Sequence, residues 1–314
     1  MKIEKREGKE IIMNGIISKD HIKGAWIGIC LVLLTIFMSC EDPIDVDLED
    51  GGVQLVVDAW LDNRVEDQEI VLTLSQSYFN SADPQVIRDA QVVVNRNDGT
   101  IFEFSHIADG RYVWASEGQS MGVEGDVFTL NIDYNNRSYS SSTEIHRVPV
   151  VDSVGVEFRE DEIFSDDGFF TQFFARDPMG IGDAYWIKTF HNGSFLNKSQ
   201  ELNIAYDAGF DAGSGIDGLI FIPPIRELTN RLDENLLPMP YEEGDTVLVE
   251  LHSINNQAFN FLEIARDQIN NGDNGIFSIP LANTRSNITA SDDSLVLGFF
   301  NVAGVSTNSR IVGE

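Results

Sequence analysis

Several residues in this chain are of types that do chemistry, and each makes its own demand on the structure around it. Gly118-Gln119-Ser120-Met121-Gly122 has the spacing of a nucleophile elbow, G-x-S-x-G. That elbow needs a strand before the serine and a helix after it to lift the hydroxyl out of the backbone. Here the following stretch, Val123 to Tyr134, reads as β, so the sequence predicts a loop between strands. His106, His146, His191 and His252 are scattered, with no H-E-x-x-H and no pair at ligand spacing. A zinc site or hydrolytic triad would have to be assembled from distant loops. The expectation is therefore no catalytic residue and no enzyme, with a loop-built hydrolase as the alternative from another class.

The acidic, glycine-rich stretch from Tyr206 to Gly218 carries Asp207, Asp211 and Asp217. Hard cations take several carboxylate and carbonyl oxygens, and glycines let a loop wrap around one, so these three residues are candidate calcium ligands. The one-three-five spacing and closing glutamate of an EF-hand are missing. A solvated loop without metal is the competing reading, and no other cofactor is expected.

Cys40 ends the apolar stretch Gly24 to Ser39, whose 16 residues follow the last of six Lys/Arg in the leader. That is short for a spanning helix, which needs about 20 residues. The pattern of charged region, apolar region and small residue at the cut reads as a secretory signal over residues 1–39, with Met1 or Met13 as the start. A cysteine directly after Ser39 resembles a lipobox, where the thiol is joined to diacylglycerol and the signal is removed in front of it. Phe37 and Met38 stand where the usual motif has leucine and a small residue; the competing reading is an ordinary signal or signal anchor. Acyl chains such as palmitate on Cys40 would give firm attachment, each buried methylene adding about 0.8 kcal/mol. Glu41, Asp42, Asp45, Asp47, Glu49 and Asp50 follow at once, an acidic tether over residues 40–52.

The net charge of -30 is concentrated beyond the leader, where 15 basic residues face 47 acidic ones. Such a surface repels phosphates and anionic headgroups, which makes a nucleic-acid partner improbable. Cys30 and Cys40 are the only cysteines, so the body has no disulfide framework or cysteine metal site, and packing must stabilise it.

The elements that must position these residues are mostly strands. Short apolar runs bounded by turn residues begin at Val53: "VQLVVDAWL", "EIVLTLSQS", the hairpin "AQVVVNRNDGTIFEF" turning at Asn97-Asp98-Gly99, then "GRYVWAS", "DVFTLNIDY" and "RSYSSSTEI", the last two joined through Asn135-Asn136. This predicts one immunoglobulin-like or transthyretin-like sandwich over residues 53–148. Pro149 marks a linker, and a β-rich domain follows over residues 149–314. Its expected strands are "DSVGVEF", "FFTQFFARD", "AYWIKTFH", "GLIFI", "DTVLVELHS", "GIFSI" and "SLVLGFFNVAG", with "FFTQFF" read as a buried central strand. Phe259, Phe261, Leu262, Ala265 and Ile269 recur at helical spacing before Gly272, which predicts one packed helix near residues 256–271. The fold class is all-β, two sandwich-like domains with one helix.

Taken in order, "CEDPIDVDLEDGGVQLVVDAWLDN", "DAQVVVNRNDG", "DGRYVWAS", "RDPMGIGDAYWIK", "YEEGDTVLVELHSIN", "FNFLEIARDQ", "RSNIT" and "LGFFNVAG" resemble the Bacteroidota lipoproteins of domain of unknown function 4249. The resemblance runs from about Cys40 to the C-terminus. It implies an outer-membrane lipoprotein, often encoded near a TonB-dependent receptor, and it carries over no catalytic residue. In such lipoproteins acids just after the cysteine resemble an export signal to the outer face. Asp152-Ser153-Val154, Asp245-Thr246-Val247 and Asp293-Ser294-Leu295 resemble the short O-glycosylation sequence of those envelopes, with Ser153, Thr246 and Ser294 as acceptors. The expected function is a lipid-anchored, surface-exposed, non-enzymatic partner of a TonB-dependent receptor in nutrient capture. An envelope assembly or adhesion module is the alternative.

Overall fold

Alternating apolar and polar residues build the first sheet. In β1 (Leu55–Asp62), Leu55, Val57, Ala59 and Leu61 face one way and are buried, while Asp58, Trp60 and Asp62 face the other. The computed structural model describes residues 52–76, 82–160, 167–211, 215–228, 231–233, 237–271 and 284–314. The leader, Ser39, Cys40, the tether up to Gly51 and the expected strand "GIFSI" lie outside the described residues.

Beside β1 stand β2 (Gln68–Leu74), β3 (Gln91–Arg96), β4 (Ile101–Ala108), β5 (Arg111–Trp114), β6 (Val127–Tyr134) and β7 (Arg137–Glu144). Both predicted turns form: Asn97-Asp98-Gly99 joins β3 to β4, and Asn135 and Asn136, both at positive φ, join β6 to β7. The first half of β4, to Phe104, pairs with β3 and the second half, from Ser105, with β5, the second ladder carrying an irregularity between His106 and Ala108. One strand thereby turns the sheet a corner, and Val94, Phe102, Phe128, Leu130 and Ile132 fill the curl with Leu72 and Ile70. Each such side chain contributes about 1.5–3 kcal/mol by leaving water.

Residues 53–148 do not complete this sheet alone. It gains β14 (Thr289–Ala290) beside β7 and β15 (Leu297–Ala303) beside β1, giving the order β14-β7-β6-β3-β4-β5-β2-β1-β15. β15 runs parallel to β1, placing Trp60 beside Asn301, and sends Phe300 and Val302 into the same core. The approach is close at Gly298, whose φ of +89° and contact with the Val57 carbonyl leave no room for a Cβ. Gly51–Glu314 pack as one compact unit.

The remaining strands are β8 (Val151–Arg159), β9 (Gly168–Ala175), β10 (Ala184–His191), β11 (Ser194–Phe195), β12 (Asn203–Tyr206), β13 (Thr246–Ile254) and β16 (Val305–Ile311). β13 is flanked by β10 and β16 and is buried on both faces after Thr246. Its Val247, Val249 and Leu251 pack with Tyr185, Ile187, Phe173 and Phe221 in a second core. β9 differs from the buried central strand expected of "FFTQFF". Among the described residues its one ladder partner is β8, and isolated bridges from Tyr241 and Glu227 meet its other side, with Ile220 bridging Arg176 just beyond its end. Phe173 is buried, while the opposite face is covered by cations, with Arg159 over Phe170 and Arg226 over Phe174. "GLIFI" makes a single bridge at Ile220 and stops, because Pro223 and Pro224 lack the N–H a ladder needs and open a helical turn, Pro223–Arg226.

The predicted helix is α1 (Asn256–Asn271). Asn255 caps it, its Oδ1 accepting from the Ala258 N–H at 2.8 Å. Ala258, Phe259 and Leu262 pack against Phe299, Ala184, Ile204 and Ile254 in a third cluster that also takes in Trp60 and Trp186. Among the described residues the fold is mainly β with this one long helix, as the sequence predicts.

Candidate functional site

A heavily hydrogen-bonded irregular segment joins β9 to β10: Arg176-Asp177-Pro178-Met179-Gly180-Ile181-Gly182-Asp183. Gly180 and Gly182 sit at φ +119° and +112°, conformations that side chains rarely adopt, so alternate residues bend the chain while Met179 and Ile181 keep side chains. Arg147, from the segment after β7, grips this loop. Its Nε and Nη2 donate to Asp183 at 2.9 and 2.5 Å, and its other bonds reach the carbonyls of Met179 at 3.1 Å and Gly180 at 2.7 Å.

The acidic glycine-rich loop holds the same segment from the other side. Asp207, buried, accepts from the N–H groups of Gly182 and Asp183 through one oxygen, at 2.8 and 3.1 Å. Asp217 accepts from the Gly180 N–H at 2.9 Å. Asp177 accepts from the Tyr185 hydroxyl at 2.7 Å and the Gly218 N–H at 3.1 Å. Burial pushes the Asp177 carboxyl up, and burial beside that carboxylate keeps the Tyr185 hydroxyl protonated far above its ordinary range.

The carboxylates that converge are therefore not the expected three. Among the described residues Asp177, Asp183 and Asp207 bring one ligand atom each to within 4.8 Å of one another. Asp207 belongs to this group; Asp211 is exposed and Asp217 is spent on Gly180. The positive charge among the three is the Arg147 guanidinium. Arg147, Asp177 and Asp183 escape a sequence reading because they are dispersed over nearly 40 positions. The visible signal was the Gly-x-Gly alternation in "PMGIGD", which spaces two apolar residues between glycines.

Ser120 lies in the loop between β5 and β6, as expected. Its Oγ donates within reach of the Asn63 and Gly122 carbonyls, at 2.6 and 3.0 Å, and accepts from the Gly122 N–H. The histidines stay apart. His106 packs against Tyr112, and His191 sits 3.0 Å from Asp245 with Arg231 on its other nitrogen. His252, from β13, is buried with its Nε2 2.9 Å from Glu250.

Glu250 and His252 open onto a polar layer between β13 and β1. Arg64 bridges Asp62 and Glu250, and Lys188 lies over the Trp186 ring at 4.2 Å. Burial and the Lys188 charge hold His252 well below the ordinary histidine range. Burial likewise lowers Lys188 to about 8, against the pull of Glu250 and Asp62. Trp60 caps the layer, edge-on to Trp186 at 5.2 Å and stacked on Phe299 at 5.4 Å, so these ring faces are occupied within the fold. Asn301 is buried in the strand beside Trp60, and neither of its amide atoms has a hydrogen-bond partner in the protein. Of the modification candidates, Ser153 on β8 and Thr246 at the start of β13 are exposed, and Ser294 is half-buried in the turn before β15.

The family model for the domain of unknown function DUF4249 matches residues 41–309, and the chain belongs to that family. No curated protein matches the chain.

Proposed function

We propose that this member of the DUF4249 family is a lipid-anchored outer-membrane protein of a Bacteroidota envelope that binds rather than catalyses. It faces outward and serves a TonB-dependent receptor in nutrient capture. The observation that carries the reading is the Ser39-Cys40 junction, an apolar run ending on a cysteine and followed by six acids within eleven positions. The family match begins at residue 41, directly after that cysteine, which supports Cys40 as the first residue of the mature chain. Lipid and tether hold the body at the membrane, where a local partner meets a much raised effective concentration.

Two measurements test it. Cys40→Ala should abolish incorporation of labelled palmitate and release the protein from the membrane fraction; continued labelling would place the lipid elsewhere. Affinity purification of the tagged wild-type chain from detergent-solubilised membranes at native expression should recover a TonB-dependent receptor, identified by mass spectrometry. A chain that comes out alone overturns the receptor partnership.

A further inference from the structure

Met179 and Ile181 are each 84% exposed, at the tip of the loop that Arg147, Asp207 and Asp217 tie down. A single exposed apolar side chain carries no message, since much of any protein surface is apolar. Here the exposure is organised. Met179 lines an open depression with Pro149, Val150 and Pro178, Val150 is itself 71% exposed, and Leu219, next to the Gly218 that Met179 touches, is 48% exposed. The polar atoms of the loop backbone point inward: the Met179 and Gly180 carbonyls to Arg147, the Gly180 N–H to Asp217, the Gly182 and Asp183 N–H groups to Asp207. On the backbone so held, Met179 and Ile181 present two large apolar side chains to solvent. A rigid apolar tip loses little conformational entropy on docking, which is the condition for a strong anchor residue.

We infer that Met179 and Ile181 form a preorganised docking tip for a protein partner that offers an apolar pocket edged by lysine and arginine. Charge selects among occupants. Asp152 and Asp177 line the same depression against one cation, Arg176, and Asp217 holds the tip together with Arg147, on a chain of net charge -30. A second copy would bring the same charge against it, and an anionic lipid surface would repel it, whereas a partner with a basic rim is attracted and oriented. Resting on the function proposed above, that partner is the TonB-dependent receptor, and the tip is the surface that meets it.

The test replaces both side chains with serine, Met179→Ser with Ile181→Ser, in the full-length tagged chain at native expression. Both side chains project into solvent, so the variant should keep the wild-type melting temperature; a drop would show that they pack within the fold and overturn the inference. Wild type and variant are then purified in parallel from solubilised membranes, and the receptor is quantified by mass spectrometry. Receptor recovery reduced about tenfold or more in the variant supports the docking tip. Equal recovery with both chains overturns the tip and leaves the receptor partnership standing. No receptor with either chain overturns the partnership and the tip with it. A photo-crosslinker at position 181 supplies a second reading, expected to join the receptor and not a second copy of the chain; crosslinks confined to chain dimers would overturn the choice of partner.

Discussion

Arg147 and Asp183 meet in a two-pronged ion pair, guanidinium Nε and Nη2 on the two carboxylate oxygens, and the same guanidinium also takes the carbonyls of Met179 and Gly180. The hydrogen bonds to Asp183 raise the arginine further above its already high range, so the guanidinium stays charged at every practical pH. Only a planar fork can satisfy a carboxylate and two carbonyls together. Arg147→Lys should therefore behave nearly as badly as Arg147→Ala. Because the Arg147 side chain is a third exposed, the loss in each is about 1–2 kcal/mol, seen as a lower urea midpoint at unchanged slope. Hydrogen exchange should rise at Gly180, Gly182 and Asp183. A lysine variant with wild-type exchange there would show that charge alone holds the loop.

His252 gives the protein an acid-sensitive layer. Buried against Glu250, Asp62, Arg64 and Lys188, it stays neutral when folded, whereas in the unfolded chain it takes a proton below its ordinary pKa of about 6.5. The unfolded state then binds more protons, so stability falls as pH falls through that value. Glu250 acts in the opposite sense, since burial raises its carboxyl and the folded state takes up that proton first. The histidine term is isolated by comparing wild type with His252→Gln in urea titrations at neutral and mildly acidic pH. The wild-type midpoint should drop more steeply between them. Parallel profiles would mean that His252 is not the group responsible.

Gly298 is where β15 comes closest to β1. At φ +89° against the Val57 carbonyl, Gly298→Ala must both strain the backbone and push the strands apart. A loss of at least about 2 kcal/mol is expected. Gly99→Ala offers the comparison, for its turn also has positive φ but nothing near the added Cβ. If the two variants lose the same stability, backbone conformation rather than strand approach explains Gly298.

The sequence was most informative where structure is set locally. The Asn97-Asp98-Gly99 and Asn135-Asn136 turns, the alternation in β1 and the helical spacing of Phe259, Leu262 and Ala265 all act over a few residues, and each formed as expected. β15 pairs with β1 across some 240 positions, and nothing in "LGFFNVAG" names its partner. In β13 the alternation sets Glu250 and His252 on one face, and nothing in that alternation names the distant groups, Asp62 and Arg64 among them, against which the two are buried. At the site, Asp207 was legible as an acid among glycines, but its role depends on Arg147 and Asp183, which pairing rather than spacing brings to it.

The packing of α1 is open to a graded test. Phe259 and Leu262 are 6% and 7% exposed and pack with Phe299 and Ile254, while Ile269 further along is 65% exposed despite sharing their helical spacing. The apolar stripe thus runs on past the surface it covers. Leu262→Ala removes buried methyl groups and leaves a cavity, an expected cost of about 2–4 kcal/mol. Ile269→Ala should cost nothing measurable or add slightly to stability, because alanine is the better helix former at an exposed position. The two variants are compared by thermal unfolding under the same conditions. A large loss at Ile269 would show that the end of the helix is covered by chain or partner, and would move the search for an interaction surface there.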